Sequence, residues 1–344
     1  MRVARLHGPG DVRLSDEPAP DPGPGEALVR VTAVGICGSD LHWFEDSAIG
    51  DAGLVRPLVL GHEAAGVVDS GRLAGQRVAI DPSVACGRCD TCARGLPHLC
   101  PDVRFLGHST TDGAMREWIA WPESHLVALP DTLDDTTGAM LEPLGVAIHA
   151  LRLAGLRPGD SVGVFGAGPI GRLLIRLALA SGASMVVATD RLAHRVEAAR
   201  ADGATAALVA GGTELDALRD ALGGKPLDTA IEIAGDDDAI RTAVQLVKPA
   251  SRVVIAGISA GDLAALPAAT ARRKGLDLRF SRRMNRVYPE AIALAPRIRP
   301  AELVSAMFPL ASADAAMARA ARRLGHKIMV RPAHDGVAAP PPGA

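Results

Sequence analysis

The sequence predicts an α/β protein of two domains, one mostly β and one built on a doubly wound parallel sheet. With 344 residues, the chain exceeds the size at which a single hydrophobic core usually stops growing. Its first part contains short β-like runs separated by Pro and Gly, whereas apolar strands alternate with Ala-rich amphipathic stretches from about residue 155 onward. That change of pattern predicts where one domain gives way to the other.

The first domain is predicted to comprise residues 1–152. Apolar runs such as 27–31 have the length of strands and are bounded by turn residues. A mixed, Pro-rich pattern returns late in the chain, and we expect residues 284–333, with their apolar run at 327–330, to complete this domain. Residues 334–344 are predicted to be a disordered tail, because they offer too little apolar surface to offset the entropy of ordering.

The second domain is predicted at residues 153–283. Four apolar runs in it are separated by helical patterns, and this alternation predicts a parallel sheet whose crossover connections are right-handed. The predicted strands are residues 161–165, 185–189, 229–233 and 252–255.

The first of these strands leads into Gly166-Ala167-Gly168-Pro169-Ile170-Gly171, a G-x-G-x-x-G pattern that precedes a helical stretch. Gly166 permits a tight turn, Gly168 lets the backbone approach a pyrophosphate, and Gly171 lets strand and helix pack closely. Pro169 and Ile170 begin the helix, where the missing N–H of proline costs nothing. The motif predicts a dinucleotide site; the alternative is an ordinary glycine-rich turn between a strand and a helix.

Asp190 ends the next predicted strand, about 20 residues past the motif, where a carboxylate can accept both hydroxyls of the adenosine ribose. A carboxylate there repels the 2′-phosphate of NADP, so Asp190 favours NAD as the cofactor. Arg191 and Arg195 are counter-evidence, because an arginine just after this strand can bind that phosphate. Asp190 could instead be a simple helix cap.

Net charge and composition argue against nucleic-acid and membrane partners. The formal net charge is −2, and the basic residues are scattered, not grouped for a phosphate backbone or an anionic membrane. The start of the chain lacks the apolar run of a signal peptide, and no window offers about 18 uninterrupted apolar residues. We therefore expect a cytoplasmic protein whose partner is a small molecule.

Four of the five cysteines lie close together, at Cys86, Cys89, Cys92 and Cys100. In a reducing compartment this clustering indicates a metal and not disulfides. Four thiolates close the coordination shell of a tetrahedral zinc ion, so the predicted role is structural, holding together a lobe at 86–100 that has little core of its own. An iron–sulfur cluster or a redox pair is the alternative.

The fifth cysteine, Cys37, and His62 are candidates for a catalytic zinc site. Such a site keeps an open coordination position and takes its ligands from distant segments. Spacing alone does not show that the two residues meet, since a lone cysteine is more often a buried apolar residue and a lone histidine a core or surface residue.

Together the motifs resemble the zinc-containing medium-chain dehydrogenases and, within them, the sorbitol, xylitol and L-idonate dehydrogenases. The resemblance covers essentially the whole chain. It is carried by Gly-Ile-Cys-Gly-Ser-Asp-Leu-His at 35–42, Gly-His-Glu-Ala-Ala-Gly at 61–66, the four-cysteine lobe, Glu-Pro-Leu at 142–144, the glycine motif and Arg-Met-Asn-Arg-Val-Tyr-Pro at 283–289. It implies a GroES-like catalytic domain made from both ends of the chain, an inserted Rossmann domain, an active site between them, and a homo-oligomer, either a dimer or a tetramer.

The resemblance also implies the ligands of the catalytic zinc, namely Cys37, His62 and a carboxylate. The polyol branch uses Glu63 and Glu142 where simple alcohol dehydrogenases use a second cysteine, and this chain has no sixth cysteine. Either glutamate could coordinate the metal directly or act through its bound water. The alternative is that both are buried ion-pair partners, since buried carboxylates are rare unless they are paired or metal-bound.

The expected reaction is hydride transfer from a secondary carbinol carbon to NAD. Zinc can lower the pKa of a bound oxygen to about 7, which makes the alcohol easier to ionise. By resemblance, Ser39 passes the released proton through the cofactor ribose to His42; a turn hydroxyl and a helix-surface histidine are the alternatives. Substrate contacts are expected from Trp43, Phe105 and Arg283, although Arg283 could equally form a surface ion pair.

The predicted substrate is a polyol, sugar or sugar acid, which becomes a ketone. Threonine, an aminocyclitol or a simple alcohol are the alternatives within the same branch. A non-catalytic nucleotide-binding protein on this scaffold is the alternative from another class. Loss of Cys37 or His62 would have favoured that last possibility, and both are present.

Overall fold

The computed structural model describes residues 1–50, 52–108, 110–259, 261 and 263–332. Its contacts divide the chain into two compact units: Met1–Glu142 with the described part of Tyr288–Ala344, and Pro143–Val287. The sequence pattern changes at the predicted boundaries 152–153 and 283–284, whereas the contacts divide the chain ten residues before the first and four after the second. The predicted tail at 334–344 lies outside the described residues.

The first unit begins with many short strands and few helices, in keeping with its Pro- and Gly-rich sequence. In chain order the elements are β1 (Arg2–Gly8), β2 (Asp11–Asp16), β3 (Glu26–Gly35), α1 (Gly38–Asp46), β4 (Ala48–Ile49), β5 (Ala52–Gly53), β6 (Leu58–Val59), β7 (Glu63–Val68), β8 (Arg77–Ile80), β9 (Ser83–Val84), α2 (Asp90–Ala93), a 3-10 helix (Pro97–Leu99), β10 (Arg104–Phe105), β11 (Trp118–Pro122), a 3-10 helix (Glu123–His125), β12 (Leu126–Ala128) and α3 (Asp135–Ala139). Helix α4 (Leu141–Ala154) carries the chain from the first unit into the second.

The second unit is a sheet whose strands alternate with helices. Its elements are β13 (Ser161–Phe165), α5 (Pro169–Ala180), β14 (Met185–Asp190), α6 (Ala193–Ala201), β15 (Ala206–Val209), α7 (Glu214–Ala221), β16 (Leu227–Glu232), α8 (Asp237–Leu246), β17 (Val247–Ile255), α9 (Ala268–Lys274) and β18 (Asp277–Phe280). The strand order is β15-β14-β13-β16-β17-β18, and all neighbours are parallel. From the inner strand β13 the chain adds β14 and β15 toward one edge of the sheet, and from β16 it adds β17 and β18 toward the other. This order confirms the predicted doubly wound sheet.

The chain then returns to the first unit. The returning elements are α10 (Tyr288–Ile298), a 3-10 helix (Pro300–Leu303), β19 (Val304–Pro309), a 3-10 helix (Leu310–Ser312), α11 (Ala313–Ala321) and β20 (Lys327–Arg331). Strand β20 pairs with β3 in a seven-stranded sheet of order β12-β8-β7-β3-β20-β19, in which β11 also pairs with β3. A strand from the end of the chain therefore lies beside the strand that leads to Cys37.

Each unit has its own hydrophobic core. In the first, Val29, Val31 and Val34 of β3 are completely buried. In the second, Phe165 and Val187 are completely buried on strands that lie inside the parallel sheet. Such strands read as continuous apolar runs, which is why the sequence pattern finds them. Within the described residues, no helix combines the length and the apolar character that crossing a membrane requires.

Candidate metal centres and cofactor site

A buried aspartate joins the loop that carries Cys37 to the loop that precedes His62. Cys37 lies just after β3, at the N-cap of α1. The carboxylate of Asp40, which is 0% exposed, accepts hydrogen bonds from the Cys37 N–H at 2.8 Å and from the Gly61 N–H at 3.1 Å. Asp40 was not assigned a role from the sequence, although an acidic residue three positions after a helix N-cap is the signal that could have indicated it.

Cys37, His62 and Glu63 bring a sulfur, an imidazole nitrogen and a carboxylate oxygen within 4.8 Å of one another. Nδ1 of His62 lies 3.6 Å from Oδ1 of Asp40, which leaves Nε2 as the ring nitrogen for a ligand. Burial alone would lower the pKa of His62, but the charges of Asp40 and Cys37 raise it well above its ordinary value. One sulfur, one nitrogen and one oxygen donor fit a zinc ion that keeps a position open.

Lys327 places a buried cation against this donor set. Its Nζ contacts the carboxylate of Glu63, with the two side chains 2% and 1% exposed, and donates a hydrogen bond to the Ile36 carbonyl at 2.8 Å. Burial alone would lower the pKa of Lys327, but the charges of Glu63 and Cys37 raise it. A Cβ at position 35 would lie 2.9 Å from Cε of Lys327, so Gly35 leaves the room that the pair needs.

Glu63 is therefore a buried ion-pair partner, as the alternative expected, and it also belongs to the three-residue donor set. Lys327 was not predicted from the sequence, because a lysine in an apolar strand near the end of the chain carries no local signal of its partner.

Glu142 is a second buried carboxylate near this donor set, in the first turn of α4. Burial raises the pKa of Glu142 to about 7, with His62 opposing the rise and Glu63 adding to it. Among the described residues, the group of three that could hold a metal does not include Glu142. The structure thus brings three of the four predicted ligands together and puts the fourth close enough to respond to their charges.

The half-buried Asp81 and the buried Tyr288 are two further polar residues in this part of the first unit. Burial raises the pKa of Asp81 to about 6 and raises the pKa of Tyr288 well above its ordinary value. The Tyr288 hydroxyl donates to the Ile80 carbonyl at 3.0 Å. Neither residue was predicted from the sequence, since a single aspartate or tyrosine next to a turn has no diagnostic spacing.

His62 is the first of four aromatic side chains whose rings contact one another in sequence. The ring centroids of Phe105 and His62 are 5.2 Å apart, those of Phe105 and His108 6.5 Å apart, and those of His108 and Trp43 5.5 Å apart. Trp43 is 1% exposed. Of the predicted substrate residues, Phe105 therefore lies directly next to the donor set, whereas Trp43 is connected to it through His108 and Phe105. His108 was not predicted from the sequence.

Ser39 and His42 lie three residues apart on α1 and so face the same side of that helix. Ser39 is half-buried, and the side chain of His42 is 25% exposed with its Nδ1 3.9 Å from Oδ2 of Asp46. Their predicted role in moving a proton stays a prediction.

The four remaining cysteines form a second donor set, with all four sulfurs within 4.8 Å of one another. The Cys86 N–H lies 3.4 Å from Sγ of Cys100, and Sγ of Cys89 lies 3.4 Å from that of Cys92. The loop that carries them contains only α2 and one 3-10 helix. Four sulfurs at this spacing fit a closed tetrahedral zinc site that stabilises a loop with little core.

The glycine motif forms the turn between β13 and α5 in the second unit. Gly166 has φ 114°, and a Cβ there would lie 2.8 Å from the Ala234 nitrogen, so only glycine fits. Gly168 is the N-cap of α5, Pro169 and Ile170 open the helix, and Gly171 packs against Gly166. The N-terminus of α5 thus begins at a half-buried turn without bulky side chains, which fits the pyrophosphate of a dinucleotide.

Asp190 is held beside this turn at the end of β14. Its carboxylate accepts hydrogen bonds from the Ala167 N–H at 2.9 Å and the Leu192 N–H at 3.0 Å, and Nη1 of Arg195 lies 3.6 Å from it. Asp190 therefore caps local amides, as the alternative expected. Its carboxylate still has lone pairs left that could accept hydrogen bonds from ribose hydroxyls.

Arg283, the predicted substrate residue of the second unit, lies between β18 and α10 with a left-handed backbone, φ 56°. It is half-buried. Its predicted contact with substrate stays a prediction.

Comparison with known proteins finds similarity over both units. Residues 23–131 match the family model "Alcohol dehydrogenase GroES-like domain", and residues 169–297 match "Zinc-binding dehydrogenase". Sorbitol dehydrogenase from Bacillus subtilis is 32% identical, covering 96% of this chain and 97% of that protein. Sorbitol dehydrogenase from Macaca fascicularis is 35% identical, covering 95% of this chain and 94% of that protein.

Solved structures of dehydrogenases are also similar to this chain over nearly its whole length. L-idonate 5-dehydrogenase from Escherichia coli superposes with a TM-score of 0.89 at 29% identity, covering 96% of this chain and 97% of that one. An alcohol dehydrogenase from E. coli complexed with NADH gives a TM-score of 0.88 at 28% identity, covering 96% of this chain and 99% of that one. A dehydrogenase from Sinorhizobium meliloti bound to NADP gives a TM-score of 0.87 at 30% identity, with the same coverage of 96% of this chain and 99% of that one. Similar chains therefore bind either nicotinamide cofactor.

Proposed function

The chain belongs to the zinc-binding medium-chain alcohol and polyol dehydrogenases, and from that premise we propose that it oxidises a secondary alcohol of a polyol, sugar or sugar acid to the ketone, with NAD as the acceptor. The family membership confirms the resemblance noted in the sequence and makes the chain a zinc- and NAD(P)-linked oxidoreductase. The observation that carries the proposal is the donor set of Cys37, His62 and Glu63 within 4.8 Å.

In this proposal Cys37, His62 and Glu63 hold the catalytic zinc. Glu63 is chosen over Glu142 as the direct carboxylate ligand because it belongs to the three-residue donor set. When bound there, zinc supplies a Lewis acid that lowers the pKa of a coordinated hydroxyl group. Asp40 orients the imidazole of His62, and Lys327 balances the charge that Cys37 and Glu63 bring into the interior.

The proton released from the alcohol leaves through residues of the first unit. Ser39 and His42, on one side of α1, are proposed to accept it in turn and deliver it to solvent, which the partly exposed His42 side chain reaches. Glu142 is a second group that can hold a proton near neutral pH, since burial raises its pKa to about 7.

NAD is the proposed cofactor because Asp190 stands at the end of β14 beside the glycine turn. Its carboxylate would accept the ribose hydroxyls of NAD and repel the 2′-phosphate of NADP. Asp190→Ala is expected to raise the KM for NAD much more than that for NADP. An unchanged preference would mean that Asp190 does not contact the ribose.

A polyol-like substrate is proposed because the donor set uses a glutamate in place of a second cysteine and because the sorbitol and L-idonate dehydrogenases are among the similar proteins. Phe105, next to His62, and Trp43 are the proposed contacts in the first unit, and Arg283 is the proposed contact in the second. Formation of NADH with a panel of polyols, sugar acids, threonine, aminocyclitols and simple alcohols identifies the substrate.

A homo-oligomer and a cytoplasmic location are also proposed. For the oligomer, support comes from β18, an edge strand of the parallel sheet whose Phe280 is 71% exposed, since exposed edges favour pairing with another chain. Sedimentation velocity measures the oligomeric state.

The central test compares two histidine variants. His62→Gln is expected to abolish turnover and to lower the zinc content from about two ions per chain to about one, while NADH still binds. His125→Gln is the matched control, because His125 lies in the first unit but outside both donor sets. Cys37→Ser should behave like His62→Gln. Full activity and unchanged zinc content in His62→Gln or in Cys37→Ser would overturn the assignment of the catalytic site.

A further inference from the structure

An ion pair in the second unit connects the two loops that flank the glycine turn. Strand β13, which precedes the turn, lies between β14 and β16 in the sheet. Arg191 follows β14 and Asp236 follows β16, and Nη2 of Arg191 contacts Oδ2 of Asp236. The carboxyl ends of these strands are where a doubly wound sheet binds its ligand.

Asp236 is held firmly, whereas Arg191 is not. Oδ1 of Asp236 caps α8 by accepting from the N–H groups of Asp238 at 3.0 Å and Ala239 at 3.3 Å. The buried Glu232 fixes the same loop by accepting from the Ala234 N–H at 2.6 Å. The Arg191 side chain is 69% exposed, and the side chain of Asp236 26% exposed. Asp236 therefore decides where the guanidinium of Arg191 lies.

We propose that Asp236 is a specificity-determining residue for the cofactor, because it holds the Arg191 guanidinium and so withholds it from the 2′-phosphate of NADP. The inference rests on the proposed use of the glycine turn and Asp190 as the dinucleotide site. A ribose whose hydroxyls bind Asp190 would carry its 2′-phosphate next to the following residue, Arg191. That phosphate must compete with a carboxylate already paired to the guanidinium, and the carboxylate also repels it.

Arg195 does not replace Arg191 in this role. Its side chain is only 15% exposed, and its Nη1 lies 3.6 Å from Oδ2 of Asp190, so its charge is directed toward the carboxylate that binds the ribose. Arg191 is the more exposed of the two arginines and the one whose position a distant carboxylate sets. Discrimination is thus shared between Asp190, which meets the ribose, and Asp236, which controls the neighbouring cation.

Asp236→Asn tests the proposal, because asparagine keeps the capping oxygen of α8 but loses the charge. Binding of NADH and of NADPH is measured by isothermal titration calorimetry on the intact protein. The variant is expected to bind NADPH about five- to tenfold more tightly than the wild type, since a freed arginine gains a charge-assisted bond to phosphate. NADH affinity should stay within about twofold, because NADH carries no phosphate at that hydroxyl.

Two further variants make the test specific. Asp238→Asn removes one negative charge two residues further on, in the first turn of α8, but Asp238 pairs with Arg241 and not with Arg191; it should leave both affinities unchanged. Adding Arg191→Ala to Asp236→Asn should abolish the gain in NADPH binding. The proposal is overturned if Asp236→Asn changes the affinities for NADH and NADPH equally, if Asp238→Asn gives the same gain in NADPH affinity, or if that gain survives without Arg191. Absence of NADH binding to the wild type would instead overturn the proposed cofactor site itself.

Discussion

Replacing Lys327 by Met should lower the free energy of unfolding of the first unit by about 3–5 kcal/mol. Met retains most of the apolar stem, so the main loss is the charge. In the wild type the ammonium neutralises Glu63, whose side chain is 1% exposed, and satisfies the Ile36 carbonyl at 2.8 Å. Removing one partner leaves the other charge buried and unpaired, and the unmet carbonyl places the loss toward the upper end of that range.

Urea unfolding followed by tryptophan fluorescence measures this loss. The three tryptophans, Trp43, Trp118 and Trp121, are all buried in the first unit, so their emission reports on that unit. With a chelator present, the unfolding midpoint of the variant should fall by the free-energy loss divided by the urea slope. With excess zinc the difference should shrink, because a cation held by the donor set would supply positive charge beside Glu63.

The double variant Lys327→Met with Glu63→Gln separates the charge effect from a packing defect. Neither group is then ionised, so the double variant should be more stable than Lys327→Met alone, recovering about half of the loss or more. A loss below about 1 kcal/mol in the single variant, or no recovery in the double, would refute the reasoning.

Two other predictions concern the first unit. Burial raises the pKa of Asp81 from 3.8 to about 6, so the stability that its protonated form contributes is present below about pH 4 and is lost as the pH rises through about 6. Asp81→Asn should therefore be more stable than the wild type by about 3 kcal/mol at pH 8 and equal to it near pH 4 in urea titrations; equal stability at both pH values would contradict this. Cys92→Ser should remove one zinc per chain and let trypsin cut at the exposed Arg88 or Arg94; an intact lobe with full zinc would count against a structural site.

Local patterns in the sequence were sufficient for the four inner strands of the second unit's sheet, but not for its edge strands β15 and β18, and they were sufficient for the spacing of the four-cysteine lobe. Strand β13 has the predicted bounds, Ser161–Phe165, because a strand buried on both faces is a continuous apolar run that ends at a glycine turn. The four cysteines lie within 14 residues of one another, so their spacing alone brings the sulfurs together. In both cases the determining contacts are short in sequence.

Only the tertiary structure decided which distant groups meet in the first unit. Cys37 and His62 come together because β3 and β7 pair and because Asp40 binds the amides of both loops. Lys327 bonds to Ile36 across 291 residues of sequence, a contact made by the pairing of β20 with β3. The Arg191–Asp236 pair likewise depends on strand order. Residue type and spacing determined which chemistry the chain carries, whereas strand pairing determined which charges face one another, because electrostatic interactions depend on distance in space and not along the chain.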